Sequence, residues 1–127
     1  MTDAQKREIA LTFVHSLQQR DPIRLKTVLT DDAVWRLPGN NHISGEAVGA
    51  DAIVARGQFL GEHGVNFELL HVIFGYEGMG IMLRNTGKCR GKVLDEFLST
   101  IFKLQGEKIH SIDTYITDVP MLNAYAA

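Results

Sequence analysis

KVLDEFLSTIFKL over Lys92–Leu104 and KIHSIDTYIT over Lys108–Thr117 are rich in β-branched and aromatic residues, and only Gln105-Gly106-Glu107 lies between them. Gly106 can take positive φ, so the arrangement predicts a long antiparallel hairpin. A three-residue connection sets Leu98 opposite Thr114, Thr100 opposite Ile112 and Phe102 opposite His110. Side chains alternate along a strand, and directly opposed residues point the same way. The even-numbered residues therefore share a face: Leu94, Glu96, Leu98, Thr100, Phe102, Leu104, His110, Ile112, Thr114 and Ile116. Asp95, Ser99, Lys103, Ser111 and Asp113 lie on the other face, with Phe97, Ile101 and Tyr115. The even face is the one expected inside. Its polar members Glu96, Thr100, His110 and Thr114 then need a reason to be there.

The segments before the hairpin read as its cover. Thr2 and Gln5 are spaced as a capping box, and Ile9, Ala10, Phe13, Val14 and Leu17 recur at helical period, which predicts a helix over 3–19. Asp21-Pro22 is a second helix start, for a short helix ending near Thr30. Ala33–Leu37 reads as a strand stopped by Pro38-Gly39, and Ser44–Val48 as a short edge strand. Ala50–Leu60 is a third helix, in which Gly57 implies close packing. From Val65 the period changes to two. Val65–Gly75, apolar on both faces, is expected to be a strand that is central or covered on both sides, followed by Met79–Thr86 and a five-residue turn over Gly87–Gly91. Met121–Ala127 is expected to be a short tail. The order predicts one α+β domain over 1–127, with helices on one face of a curved antiparallel sheet.

Composition narrows the function classes. The 127 residues are 45% hydrophobic and 22% charged, with a net charge of −2 and scattered Lys and Arg, so no basic nucleic-acid footprint or polybasic membrane anchor is present. No apolar run approaches the roughly 20 residues of a membrane helix, and the polar start MTDAQKREIA is unlike a signal peptide. The lone Cys89 excludes an intrachain disulfide and a Cys-rich zinc site, and a cytoplasmic setting is expected. No His-x-His or i, i+4 His pair occurs, so no metal is expected; neither a Gly-rich phosphate loop nor a nucleophile elbow occurs, and no cofactor is expected.

Four stretches carry a resemblance. DAVWRLPG over 32–39, SGEAVGADAI over 44–53, FKLQGEKI over 102–109 and TYITDVP over 114–120 resemble, in order and spacing, the nuclear transport factor 2-like superfamily and its SnoaL-like members. The resemblance implies a cone with an apolar pocket between curved sheet and helices, usually in a homodimer. It covers isomerases, polyketide cyclases, epoxide hydrolases, dehydratases and binding modules, so fold alone does not name a function. The catalytic residues of ketosteroid isomerases fall here on Phe13, Leu37 and a position on or beside Thr100. A phenyl ring cannot donate and a leucine cannot take a proton. Of the limonene epoxide hydrolase set, Arg84 matches the arginine, but Thr86 and Thr114 stand where the two aspartates belong. The His and Asp of the polyketide cyclases have no placeable counterpart.

With the five-residue turn, Arg84 faces Leu94 and lies diagonal to Glu96, within side-chain reach. That makes Arg84 and Glu96 the candidate catalytic pair, or else a structural ion pair at the cone's mouth. Phe13, Trp35, Leu37, Leu98, Thr100, Thr114 and Ile116 are the expected ligand-lining residues. Core packing explains Trp35 as well as a stacking role does. The side on which His71 falls depends on the length of the Tyr76 turn. Two functions fit: a pocket for a small apolar molecule, and with it a cofactor-independent isomerase, cyclase or hydrolase acting on a steroid-, terpenoid- or polyketide-like substrate, or a non-catalytic dimeric binding module. In either case Phe97, Ile101 and Tyr115 are expected to form a homodimer interface on the outer sheet face.

Overall fold

The computed structural model describes residues 1–127. Its elements run α1 (Asp3–Gln18), α2 (Pro22–Lys26), β1 (Leu29–Leu37), β2 (Gly45–Val48), α3 (Ala50–Glu62), β3 (Asn66–Phe74), β4 (Gly78–Cys89), β5 (Lys92–Gln105), β6 (Lys108–Ile116) and α4 (Val119–Tyr125). The strands form one open sheet in the order β2-β1-β6-β5-β4-β3. All pairs are antiparallel except β1 and β6, where the first long strand returns parallel to the last. This is an α+β fold in which α1 packs against β3 and β4, and α3 against β1 and β2. No helix is long and apolar enough to cross a membrane.

The helix signals hold at atomic level. The Thr2 hydroxyl accepts from the Gln5 N–H at 3.1 Å, and the Gln5 side chain accepts from the Thr2 N–H at 2.8 Å. The Asp21 carboxylate accepts from the Arg24 N–H at 3.0 Å with Pro22 in the first turn. A Cβ on Gly57 would stand 2.8 Å from Leu17 Cδ2, so the glycine lets α3 press onto α1. One cluster of 28 buried apolar residues fills the space between helices and sheet.

Both hairpins differ from expectation in register. The β5–β6 loop has two residues, Gly106-Glu107, and Gln105 pairs with Lys108. A regular ladder from that loop would put odd residues of β6 behind even residues of β5. A bulge at His110, opposite Lys103 and Leu104, inserts the extra residue that restores parity, so Phe102 faces Ile112, Thr100 faces Thr114 and Leu98 faces Ile116. Ile109, with no exposed surface, takes the inner position expected of His110. His110 turns partly outward to the Thr30 hydroxyl, at 3.3 Å.

The β4–β5 turn is also two residues. Arg90 at φ 52° and Gly91 at φ 77° make the double positive-φ turn that suits a twisted hairpin. Cys89 then pairs with Lys92, and β4 continues through Gly87 and Lys88 instead of ending at Thr86. The three-residue shortening reverses the parity of β4, so Met79, Ile81, Leu83 and Asn85 face inward.

β3 is an edge strand, not a central one: Leu70, Ile73 and Phe74 are all about 40% exposed. His71, opposite Met82, lies exposed on the outer face. The expected C-terminal tail is a helix. Asp118 caps α4 by accepting from the Met121 N–H at 3.0 Å, and Pro120 sits in its first turn, the same signal that opens α2.

Candidate functional site

The even residues of β5 alternate Leu94, Glu96, Leu98, Thr100 along the inner face, each under 9% exposed. Across them lie Leu83 and Asn85 of β4 and Thr114 of β6. α1 contributes Phe13 and Leu17, β1 Trp35 and Leu37, α3 Leu60, β3 Phe67 and α4 Leu122. Together they enclose a cavity of about 30 Å3. That volume holds about one or two waters. A ring-sized ligand therefore enters only if part of the wall moves.

Of the expected lining residues, Phe13, Trp35, Leu37, Leu98, Thr100, Thr114 and Glu96 are brought together here. Ile116 is not among them; opposite Leu98 on β6, it is half-buried and packs against the core without reaching the cavity. Arg84 is on the opposite face of the sheet. It faces Phe97, its guanidinium carbon lies 5.9 Å from that ring, and it donates twice to Asp95, at 3.0 and 2.9 Å. The pair is held by the shorter β4–β5 turn, which moved the arginine to the other side. No Arg84–Glu96 pair exists. Arg84→Met, which would strand a buried carboxylate if the two were paired, should instead leave stability nearly unchanged, because its partner is an exposed carboxylate that water screens. Chemical denaturation of the variant checks this.

Glu96 is thereby left without a cation. It is 2% exposed, and its Oε2 has no hydrogen-bond partner in the protein. Burial, and secondarily the negative charge of Asp118 at the start of α4, push its carboxyl up to about 7. Directly across the ladder is Asn85, 6% exposed, whose Oδ1 is likewise buried and unpartnered. Unpaired buried oxygens each cost on the order of 1–3 kcal/mol, and natural folds seldom keep two together. Sequence reasoning missed Asn85 because the assumed turn put even residues of β4 inside. The signal that finds it is Arg90-Gly91, which suits a two-residue hairpin.

The other end of the cavity is satisfied internally. Trp35 Nε1 donates to the Thr114 hydroxyl at 2.9 Å, which is 3.0 Å from the Thr100 hydroxyl. Phe13 packs edge-on against Trp35 and Phe102, at centroid distances of 5.7 and 4.9 Å. Arg56 of α3, also buried, donates to the carbonyls of Trp35 at 2.7 Å and Gly45 at 3.0 Å, with its guanidinium 5.1 Å from the Trp35 ring. Burial lowers its pKa to about 10. It fixes the strand that carries Trp35 and does not line the cavity. No group of three His, Cys, Asp or Glu residues is close enough to hold a metal ion.

α4 closes one end. Tyr125 donates to the His63 carbonyl, and Asn123 Oδ1 accepts from the Asn40 N–H and Asn41 Nδ2, both at 2.8 Å. These bonds tie the last helix to the ends of α3 and the β1–β2 loop.

No protein-family model matches this sequence, and neither does any curated protein. Solved structures do match. Bal32a, from a soil-derived mobile gene cassette, superposes with a TM-score of 0.92 at 23% identity, covering 98% of each chain. An NTF2-like protein of Burkholderia xenovorans LB400 gives 0.79 at 20% identity over 100% of this chain and 99% of that one. The chain has the NTF2-like fold. A candidate SnoaL-like polyketide cyclase from Jannaschia sp. CCS1 shares it, with a TM-score of 0.78 at 15% identity over 98% and 93% of the two chains. Within the NTF2-like fold, the space between helices and sheet is the place where this chain keeps Glu96 and Asn85.

Proposed function

We propose that the interior between helices and sheet binds a small, largely apolar molecule carrying one or two oxygens, and that Glu96 moves a proton on it without a cofactor. The reading rests on one observation: a buried, unpaired carboxyl, raised to about 7, facing an apolar cavity. A group with that pKa is divided between acid and base at neutral pH, the condition in which either proton donation or abstraction is fastest. Apolar walls with a few polar groups are the general pattern of ligand sites. Isomerase, cyclase and hydrolase chemistry all fit such a group. Substrates of steroid, terpenoid or polyketide type require the wall to part, and the short α4 is the element on that wall with the fewest residues. A thermal-shift screen of such compounds, together with small cyclic alcohols and ketones, should yield stabilisers, because a ligand of the native state alone raises stability. No stabiliser across the series at millimolar concentration would sink the reading.

A second property is supported by a separate surface. On the outer face Phe97 is 52% exposed and Tyr115 69%, with Ile73, Met82 and Ile101 beside them. We infer that two copies pack through this face about a two-fold axis, which would bury these rings. Light scattering at micromolar concentration should give a dimer, and Phe97→Asp should give a folded monomer. A monomeric parent protein refutes the interface.

A further inference from the structure

The remaining question is which head group the cavity selects, a question that rests on the ligand-binding reading above. Its polar groups are unevenly served. The Thr100 and Thr114 hydroxyls and the Trp35 N–H bond to one another. Four residues along β5 from Thr100, about 13 Å away at strand rise, Glu96 pairs with Asn85 across the ladder, and Glu96 Oε2 and Asn85 Oδ1 are buried with nothing bonded to them. Both are oxygens, and both are acceptors when Glu96 is ionised. No Lys, Arg or His lines the cavity. Arg84, next to Asn85 in the chain, is committed to Asp95 on the far side of the sheet, and Arg56 to the Trp35 and Gly45 carbonyls.

We propose that Glu96 and Asn85 together form the recognition point for an amine head group, carried as its ammonium, on an otherwise apolar ligand. Two of its N–H hydrogens answer the two orphan acceptors, whereas a hydroxyl has a single hydrogen for both. A carboxylate or phosphate brings a second negative charge to an apolar site that has no cation to receive it, and Asp118 adds to the repulsion. A ketone offers only an acceptor, so it can bond Glu96 only in the acid form and leaves Asn85 Oδ1 unpaired. Asn85 is in this account a specificity-determining residue, equal in weight to the carboxyl.

The two kinds of ligand carry opposite pH signatures. The ammonium binds the ionised carboxylate and tightens as pH rises through 7; a ketone binds the acid and weakens, and so does an alcohol, whose oxygen accepts from the acid while its one hydrogen goes to Asn85 Oδ1. No other titratable side chain in the wall confuses the reading: α1 presents Phe13 and Leu17, α3 Leu60, α4 Leu122, with Asp118 as the charged group acting on Glu96 and Asp95 turned to the outer face.

The test is calorimetric titration of the full chain at pH 6 and pH 8 with cyclohexanol, cyclohexylamine, cyclohexanone and cyclohexanecarboxylate, which share one apolar body. At pH 8 the amine should bind about tenfold or more tighter than the alcohol, ketone and carboxylate, the margin expected when a buried polar group is left unpaired. Its affinity should rise from pH 6 to pH 8, and Glu96→Gln should flatten that rise. Asn85→Leu should narrow the margin over the ketone. An alcohol, ketone or carboxylate that binds tightest at pH 8, or an amine that weakens toward pH 8, overturns the proposal while leaving the pocket reading intact. Binding by none of the four at millimolar concentration overturns both.

Discussion

Glu96→Gln should lower any turnover by two orders of magnitude or more, the contribution typical of a positioned general acid or base. The same substitution should raise stability at high pH. The sign follows from proton binding. The Glu96 carboxyl loses its proton near 4.5 when unfolded and near 7 when folded. Between those values the native state binds more protons than the unfolded state, so this group's contribution to stability falls as pH rises from 4.5 through 7. At pH 8 the folded protein carries a buried carboxylate at a cost of up to about 3 kcal/mol; glutamine, neutral throughout, does not. Urea titrations of parent and variant should nearly coincide at pH 4.5 and separate at pH 8, with the variant more stable. A variant that keeps its turnover removes Glu96 from the chemistry. A variant no more stable at pH 8 than at pH 4.5, relative to the parent, removes the raised carboxyl itself.

Phe102→Ala should be the most damaging single truncation in the hairpin. The ring has no exposed surface, stands edge-on to Phe13 at 4.9 Å, and is flanked by Met79 and Ile112 across its two ladders. Loss of a fully buried phenyl costs about 3–5 kcal/mol through lost transfer energy and the cavity left behind. In a domain this size that lowers Tm by roughly 10–20 °C, which calorimetry reads directly. Ile101, the next residue along, points outward and is 36% exposed; Ile101→Ala should cost far less in the monomer. Equal losses at the two positions would contradict the assignment of inner and outer faces.

That assignment is the part of the fold legible in the residues themselves. Alternation along Leu94–Leu104 sets which side chains of β5 face inward, whatever strand lies beside it. So Glu96, Leu98 and Thr100 were found from sequence, as were Trp35 and Leu37, two apart on one strand, and Phe13 on the apolar stripe of α1. Capping chemistry marked α1 and α2 because its signals act within a few residues. The same local signal at Asp118 and Pro120 marks α4, although the chain there reads as a tail until its cap is seen.

Pairing between strands was not legible. It depends on turn length, and one residue more or less exchanges the two faces of a strand. A two-residue turn at Arg90-Gly91 sends Arg84 out to Asp95 and Asn85 in to Glu96, reversing the catalytic partner that sequence suggested. At Gly106-Glu107 an equally short turn left parity intact only because a bulge at His110 compensated for it. Position in the sheet was hidden for a similar reason. β3 is apolar on both faces, a pattern that does not distinguish a covered central strand from an edge strand. The sequence determined by itself which residues of each element are apolar, where helices begin, and that a carboxylate lies on the inner face of β5. Only the tertiary structure decided what stands opposite that carboxylate, because opposition is a relation between distant segments that no local propensity encodes.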